Sequence, residues 1–523
     1  MKFRFYLSNP SNQRLGIYIL YLVLLILGLY HHEMWRDEYE EYLQARDAQG
    51  LFGLGNTMSQ GHAMLWQGCL WIVTRFTHNP LAMQVLHGLI AAGFAFVLVF
   101  KSPFKLWQSG LLLLGYFFLF EYAVISRCYA FGVLFFFLFA HNYYSNQKPT
   151  RFSGIVLFLL ANTSIYAMIL TAVIITWLFF KDILLTKIPL KEKIRKRFPV
   201  LVLAGLGILL AYLQIRPGED NSFPLHLIIW PYEPYRFGTT ITQFFSAFVP
   251  ISKFTTSYFW NTNFLMDKMA LVAWWWPLTV FIVVTIPFIR KAPILLLWLG
   301  GTLAILCFQY YTGFRYARYF GHFFIWWLLC LWLLAYYYEP KRVFRVIRTG
   351  IVFIVLIGQA IGGILMYEAD WSQRFSRGKE AAEYLKKEGY SDNYMIGTVD
   401  FALSPIAAEL DRKIFTMQHM ALCSFTKWDK KRRNSTDSSD LITALKSGSA
   451  NKPMIFIATH PIPQFEYFQD KANKRLPNRT FLFDNYKFTG LAYFKPGIEY
   501  YEGYWLFKVV PLTNRVVPPK QRN

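Results

Sequence analysis

Eleven stretches of mostly apolar residues, each close to the ~20 needed to cross a bilayer, constrain this chain more than any other feature. In hydrocarbon a backbone finds no water to satisfy its N–H and C=O groups, so such stretches must be helices. They fall at residues 15–30, 81–100, 106–125, 129–146, 152–166, 167–180, 198–214, 269–289, 292–310, 321–338 and 350–366. The fifth and sixth are short and nearly continuous; they form a tight hairpin or one long broken helix, and the span count depends on which. The sequence therefore predicts an α-helical polytopic membrane domain over 1–366, followed by a soluble α/β domain over 367–523. Charged residues are 16% of the 523, against about 25% in soluble proteins.

Charge sets the orientation. The 54 basic and 31 acidic residues leave a formal charge of +23. The excess sits in short loops between apolar runs, which argues against nucleic acid as a partner and for the positive-inside rule. With the N-terminus in the cytoplasm, the loops at 101–105, 148–151, 181–197, 290–291 and 341–348 carry two, two, seven, two and four basic residues, all on one side. This favours the hairpin and puts the tail outside, as expected of an integral protein of a bacterial inner membrane. Lys2, Arg4 and Arg14 precede the first apolar run and no small-x-small site follows, so that run reads as an uncleaved first span.

The outer side has long loops at 31–80 and 215–268 and a short one at 311–319. Within them 36–49, 61–77 and 237–250 read as amphipathic helices lying along the membrane face, with Trp35, Trp66, Trp71, Trp230 and Trp260 at the borders. In the tail, helices are expected at 377–388, 404–410 and 440–446, and strands at 394–399, 413–417, 454–458, 481–488 and 504–510. The five cysteines include no CxxC pair, so neither a zinc site nor a disulfide framework is indicated.

Three groups of residues are candidates for chemistry. The first outer loop opens HHEMWRDEYEEYLQARD, with six acids and two arginines over residues 33–47. On a helix Asp37, Glu38 and Glu41 share a face, either as a working carboxylate group or as a solvated acidic helix start. Arg315, Arg318 and His322 are spaced i, i+3, i+7, a cationic stripe for a lipid phosphate or arginines snorkelling to the interface. Arg127, in Ser126-Arg127-Cys128-Tyr129, stands against the positive-inside trend and needs a carboxylate partner, a phosphate or an interfacial position. His62 lies where the second interfacial helix starts. Arg216, Glu219, Asp220, His226, Glu233 and Arg236, in the second outer loop, either shape a substrate pocket or are ordinary loop residues, and the latter reading is favoured. Ligand spacing for a metal is lacking, although acids of the outer loop could hold a divalent cation.

Together these pieces resemble the GT-C glycosyltransferases, in the branch of the protein O-mannosyltransferases and the lipid A aminoarabinose transferase. A first span leads into Arg36-Asp37-Glu38; two interfacial helices follow, the second near Gly61-His62-Ala63-Met64-Leu65-Trp66; a later span ends in Ser126-Arg127-Cys128-Tyr129. The layout covers most of the chain and the motifs cover residues 15–145. Many members carry a Pro-Pro step before the second interfacial helix, where this chain has Gly61-His62-Ala63. The resemblance implies inverting transfer of a sugar from a polyprenyl phosphate to a hydroxyl on a lipid, glycan or protein. Asp37 and Glu38 would be catalytic, Asp37 as the base and Glu38 orienting it or sharing the role. Arg127, Tyr129, Arg315, Arg318 and His322 would bind the donor phosphate, and His62 and Glu41 would line the acceptor or sugar pocket. No cofactor is expected. The alternative is a flippase or transporter of a lipid-linked sugar, which tends to place ionisable residues near the bilayer midplane.

Overall fold

The structure is a computed structural model that describes residues 10–51, 53–54, 62–184, 190–216, 220–221, 233–256, 258–265, 275–337, 341–448, 453–459 and 479–512. Gly61, Glu219, His226, Trp230 and the start of the eighth predicted span, 269–274, lie outside the described residues.

The helical part runs α1 (Pro10–His31), α2 (Arg36–Asp47), α3 (Leu65–Thr74), α4 (Leu81–Lys101), α5 (Leu106–Leu113), a π-helical turn (Phe117–Glu121), α6 (Tyr129–Asn146), α7 (Arg151–Ala161), α8 (Ile165–Leu184), α9 (Leu190–Ile215), α10 (Pro234–Phe248), α11 (Trp275–Thr285), α12 (Ala292–Thr312), α13 (Ala317–Tyr337) and α14 (Arg342–Ser372). Among the described residues six of these, α1, α4, α9 from Arg197, α12, α13 and α14, are long and apolar enough to cross a membrane; α3, α7, α8 and α11 are shorter apolar helices. On α1 the side chains of Leu15, Ile19, Leu20, Val23 and Ile26 are exposed, as suits a helix whose surroundings are apolar. Helix α13 is the opposite case: it is buried along most of its length and packs against α6, α10 and α12. Gly321 lets it approach the π-helical turn, where a Cβ would strike Tyr122 and Phe117.

Residues 151–184 form two helices rather than one. Asn162 closes α7 by donating from Nδ2 to Phe158 O at 2.9 Å and Gly207 O at 3.1 Å. Ser164 then opens α8, its Oγ accepting from Ala167 N at 3.2 Å as an N-cap does.

The last helix runs on to Ser372, so the boundary drawn at 366/367 falls inside it. The tail follows as α15 (Gly378–Lys387), β1 (Tyr394–Thr398), α16 (Ser404–Glu409), β2 (Ile414–Thr416), β3 (Ala421–Cys423), α17 (Ser438–Lys446), β4 (Met454–Ala458), β5 (Thr480–Phe483), β6 (Tyr486–Phe494) and β7 (Tyr504–Pro511). The strands make one mixed sheet in the order β3-β2-β1-β4-β7-β6-β5, with β1 parallel to β2 and β4. Side chains alternate across it. Ile396, Phe456 and Ala458 pack with Leu441 and Leu445 of α17, while Met395, Ile455 and Ile457 belong to the larger core with Ala381 and Ile406. Two details differ from expectation. The strand expected over 481–488 is a hairpin turning at Asp484-Asn485, with Asp484 at φ 49°, and β3 was not foreseen.

Helix α2 joins the two parts, and here the expectation of an interfacial helix is corrected. Residues 38–46 are all buried, because the tail covers the side that would have faced water. Tyr39 OH donates to Glu409 Oε1 at 2.6 Å, Arg46 Nη1 to Asp411 Oδ1 at 2.8 Å, and Arg36 N to Glu502 Oε1 at 2.7 Å. Glu40 accepts from Thr426 N at 3.0 Å, from Thr426 Oγ1 at 2.9 Å and from the Ser404 hydroxyl.

Burial pushes the Glu40 carboxyl up to about 8, against the opposing pull of those donors. The folded junction therefore keeps a proton that the unfolded chain releases near 4.5, and stability falls as pH rises between those values. Glu40→Gln, which cannot ionise, should lose less thermal stability than the parent between pH 5 and pH 8, measured by fluorescence-monitored melting in detergent. Parallel curves would remove this assignment.

Candidate functional site

The N-terminal turn of α2 puts Asp37 and Glu41 one turn apart on one face. Two arginines from elsewhere in the chain close on that face. Arg127 comes from the turn between the π-helical turn and α6, and Arg318 from the first turn of α13. Asp37 Oδ2 lies 2.9 Å from Arg318 Nη2 and 3.2 Å from Arg127 Nη1. Arg127 Nη2 is 3.1 Å from Glu41 Oε1 and 3.3 Å from His62 Nε2. The Arg318 guanidinium also stands over the rings of Tyr316 and Tyr319, at 4.4 and 5.2 Å from their centroids.

All of these groups except Glu41, which was expected at the pocket wall and stands behind Arg127 instead, line a cavity of about 330 Å³. Its helical wall carries Asp37, His62, Arg127, Tyr129, Tyr166 and Arg318; its other wall comes from the tail as Phe401, Thr426 and Trp428. Arg318 Nε and Nη1, Arg127 Nε and Tyr129 Oη are buried without a hydrogen-bond partner. Buried donors of this kind are costly unless something accepts from them.

Charge is distributed unevenly. Burial raises the Asp37 carboxyl, but the guanidiniums of Arg318, Arg127 and Arg36 outweigh it and hold Asp37 below the ordinary carboxylate value. For Glu41 burial wins over Arg127, and its carboxyl rises to about 7. Burial, with Arg127 and Arg318 nearby, takes His62 down to about 3, so its ring is neutral. Arg36 is engaged by the tail, with Nη2 3.5 Å from Glu499.

Several expected site residues lie elsewhere. Glu38 follows Asp37 by 100° around the helix and faces away from the cavity. Its Oε2 takes Trp35 N and lies against His32 Nε2, both at 3.1 Å, and its Oε1 takes Ser126 N at 2.5 Å. His32 Nδ1 in turn meets Asp370 at 3.1 Å. Glu38 is thus the anchor of the Ser126-Arg127 turn and not a second carboxylate in the cavity. Arg315 is corrected too. Helix α12 ends on Gly313 at φ 69° and α13 begins at Ala317, so Arg315 is outside the helix, exposed, with Nη1 3.4 Å from Tyr235 OH. His322 does not line the cavity; it stacks on Tyr166 with centroids 4.8 Å apart and lies beside Tyr129.

Glu41, His62 and Cys128 bring potential ligand atoms within 4.8 Å of one another. Arg127 Nη2 already lies against two of them, so a cation there would meet a fixed positive charge. The arrangement suits an anion instead.

Tyr166, Tyr316 and Tyr319 were not foreseen as cavity residues, although their clustering around Arg318 in sequence was a usable signal for the last two. Phe401, Thr426 and Trp428 had no local signal. No protein family, curated protein or solved structure matches the chain.

Removing Glu38 leaves His32 Nε2 and the backbone N–H groups of Trp35 and Ser126 without their partner in a buried setting. Glu38→Ala should cost about 3 kcal/mol, read as a lowered unfolding midpoint in mixed micelles. An unchanged midpoint would show that the anchor role is wrong.

Proposed function

We propose that the chain is a membrane glycosyltransferase of the GT-C kind, moving a sugar from a polyprenyl phosphate to an acceptor hydroxyl. The observation that carries this is the Asp37 carboxylate held between Arg127 and Arg318 at the wall of a cavity, with buried arginine N–H groups still unpaired. The eleven-pass threading, with the N-terminus inside and the tail outside, belongs to the same reading. It places the cavity at the outer border of the membrane. The gathering of ionisable groups at one cavity favours an enzyme over a transporter.

The chemistry follows from the residues. Asp37 takes the proton of the acceptor hydroxyl as its oxygen attacks the anomeric carbon from the face opposite the phosphate. The C–O bond to phosphate breaks, its electron pair leaves with the polyprenyl phosphate, and the configuration inverts. Arg127 and Arg318 hold the charge that develops on the phosphate oxygens. The free site keeps Asp37 weakly basic. A bound phosphate draws the two guanidiniums to itself, which frees the carboxylate and raises its proton affinity when a base is needed. Tyr129 adds a hydroxyl beside the phosphate.

Asp37→Asn should lower kcat by about 10²- to 10⁴-fold with donor binding retained. Arg318→Ala should raise the donor KM. Both are measured as transfer of labelled sugar from polyprenyl phosphate donors by the full chain in proteoliposomes. Full activity in Asp37→Asn would overturn the base. Passage of the lipid-linked sugar across the bilayer without transfer would establish the transporter instead.

The donor KM should also depend on pH. Below about 7 Glu41 is protonated and leaves Arg127 to the phosphate; above it the carboxylate competes. The donor KM is expected to rise several-fold as pH passes from 6 to 8, and Glu41→Gln should flatten that rise. A rise that survives in Glu41→Gln would assign the titration to another group.

A further inference from the structure

We propose that the acceptor is a carbohydrate bearing acidic groups, received on the tail wall of the cavity with Trp428 as the surface on which a sugar ring stacks. This rests on the glycosyltransferase reading and adds the class of acceptor to it.

Aromatic rings line both walls of the cavity, but its arginines and Asp37 all stand on the helical wall. The helical wall holds Asp37, Arg127 and Arg318, which answer a phosphate and a proton. The tail wall presents the rings of Phe401 and Trp428. Two substrates must meet here, and only one of them carries the leaving phosphate.

Trp428 is held in place from both sides along the chain. Two residues before it, Thr426 is fixed to Glu40 on α2 by its N–H and hydroxyl, at 3.0 and 2.9 Å. Two residues after it, Lys430 N donates to Asp220 O of the second outer loop at 3.1 Å, beside a bridge between Asn221 and Asp429. Its ring is backed by the Arg432 guanidinium at 4.2 Å from the centroid, and Arg432 is itself locked to Asp400 by two hydrogen bonds of 2.8 Å. The ring is only partly buried, and it lines the cavity. An aromatic face fixed in that way suits the flat apolar face of a pyranose.

The loop around it is basic. Lys427, Lys430 and Lys431 are exposed on either side of Trp428. A chain of sugars leaving the cavity past Trp428 meets positive charge, which favours acidic substituents. A lipid acceptor would need an apolar track there, and these lysines supply the reverse.

The test uses the full chain in nanodiscs with a polyprenyl phosphate donor. Three acceptors are compared: an acidic oligosaccharide, its neutral counterpart and a serine peptide. Trp428→Ala should raise the KM of the acidic oligosaccharide about tenfold with the donor KM unchanged; Trp428→Phe should restore most of it. The acidic oligosaccharide should lose its advantage over the neutral one at high salt. Transfer to the peptide alone, to lipid hydroxyls alone, or equal use of all acceptors by parent and Trp428→Ala would overturn the proposal. If no donor supports transfer, saturation-transfer NMR of the oligosaccharides on the same nanodiscs still decides. Binding lost in Trp428→Ala and kept in Trp428→Phe would support the carbohydrate wall while the transferase reading fails. Absence of binding, or binding only by anionic vesicles, would overturn both.

Discussion

The burial of an acidic helix between an apolar bundle and a sheet domain is the constraint on which the rest of this structure depends. Helix α2 carries Asp37, Glu38, Glu40, Glu41 and Asp47, and residues 38–46 are all buried. Charge removed from water costs several kcal/mol per ion unless partners come with it. Each side of the helix therefore recruits its own partners. Glu40, Arg46 and the Arg36 N–H take groups from the tail. Glu38 takes His32 and the Ser126 N–H. Asp37 and Glu41 take Arg127 and Arg318. Meeting these demands brings the end of the third predicted span, the start of α13 and the tail to one place, and the cavity lies where they converge.

The parts of the fold readable in sequence are those governed by composition over a window. Apolar runs located most of the helices, although the run at 106–125 is an eight-residue helix followed by a π-helical turn, and short apolar runs in the tail located most of the sheet. Two of the misreadings share a physical cause, which is that one residue decided the outcome. Asp484 at φ 49° turns an apolar run into a hairpin. Gly313 ends α12 late enough to leave Arg315 outside α13. The break of 151–184 into two helices, which the charge of the loops favoured, depends on Asn162 and Ser164, two polar residues in an apolar stretch.

The candidate site was legible in part for a related reason. Spacing identified Asp37, Glu41, Arg127 and Arg318 as charges lacking an obvious reason, and the structure brings those four together. Spacing put Glu38 on one face with Asp37, whereas adjacent positions on a helix point 100° apart and meet different neighbours. The tail wall was hidden because Phe401, Thr426 and Trp428 reach α2 across more than 350 residues of chain, and no local pattern reports such a return.

The tail also has its own reason to face the cavity where it does. Strand β1 is parallel to β2 and β4, and its carboxyl end leads directly into Val399, Asp400 and Phe401. Crevices outside the carboxyl ends of parallel strands are where open α/β sheets hold their ligands, because the loops there are free to vary while the sheet keeps them in place. Here Arg432 ties the 426–432 loop to Asp400 at that same end, so Phe401 and Trp428 are set by one rigid edge. The helical wall is fixed by charge pairing that cannot change without exposing buried ions, whereas the tail wall is fixed by a sheet edge whose loops can be rebuilt at little cost. On the transferase reading proposed above, an architecture divided in this way would keep the group-transfer chemistry constant on one side and leave selection of the second substrate to the other.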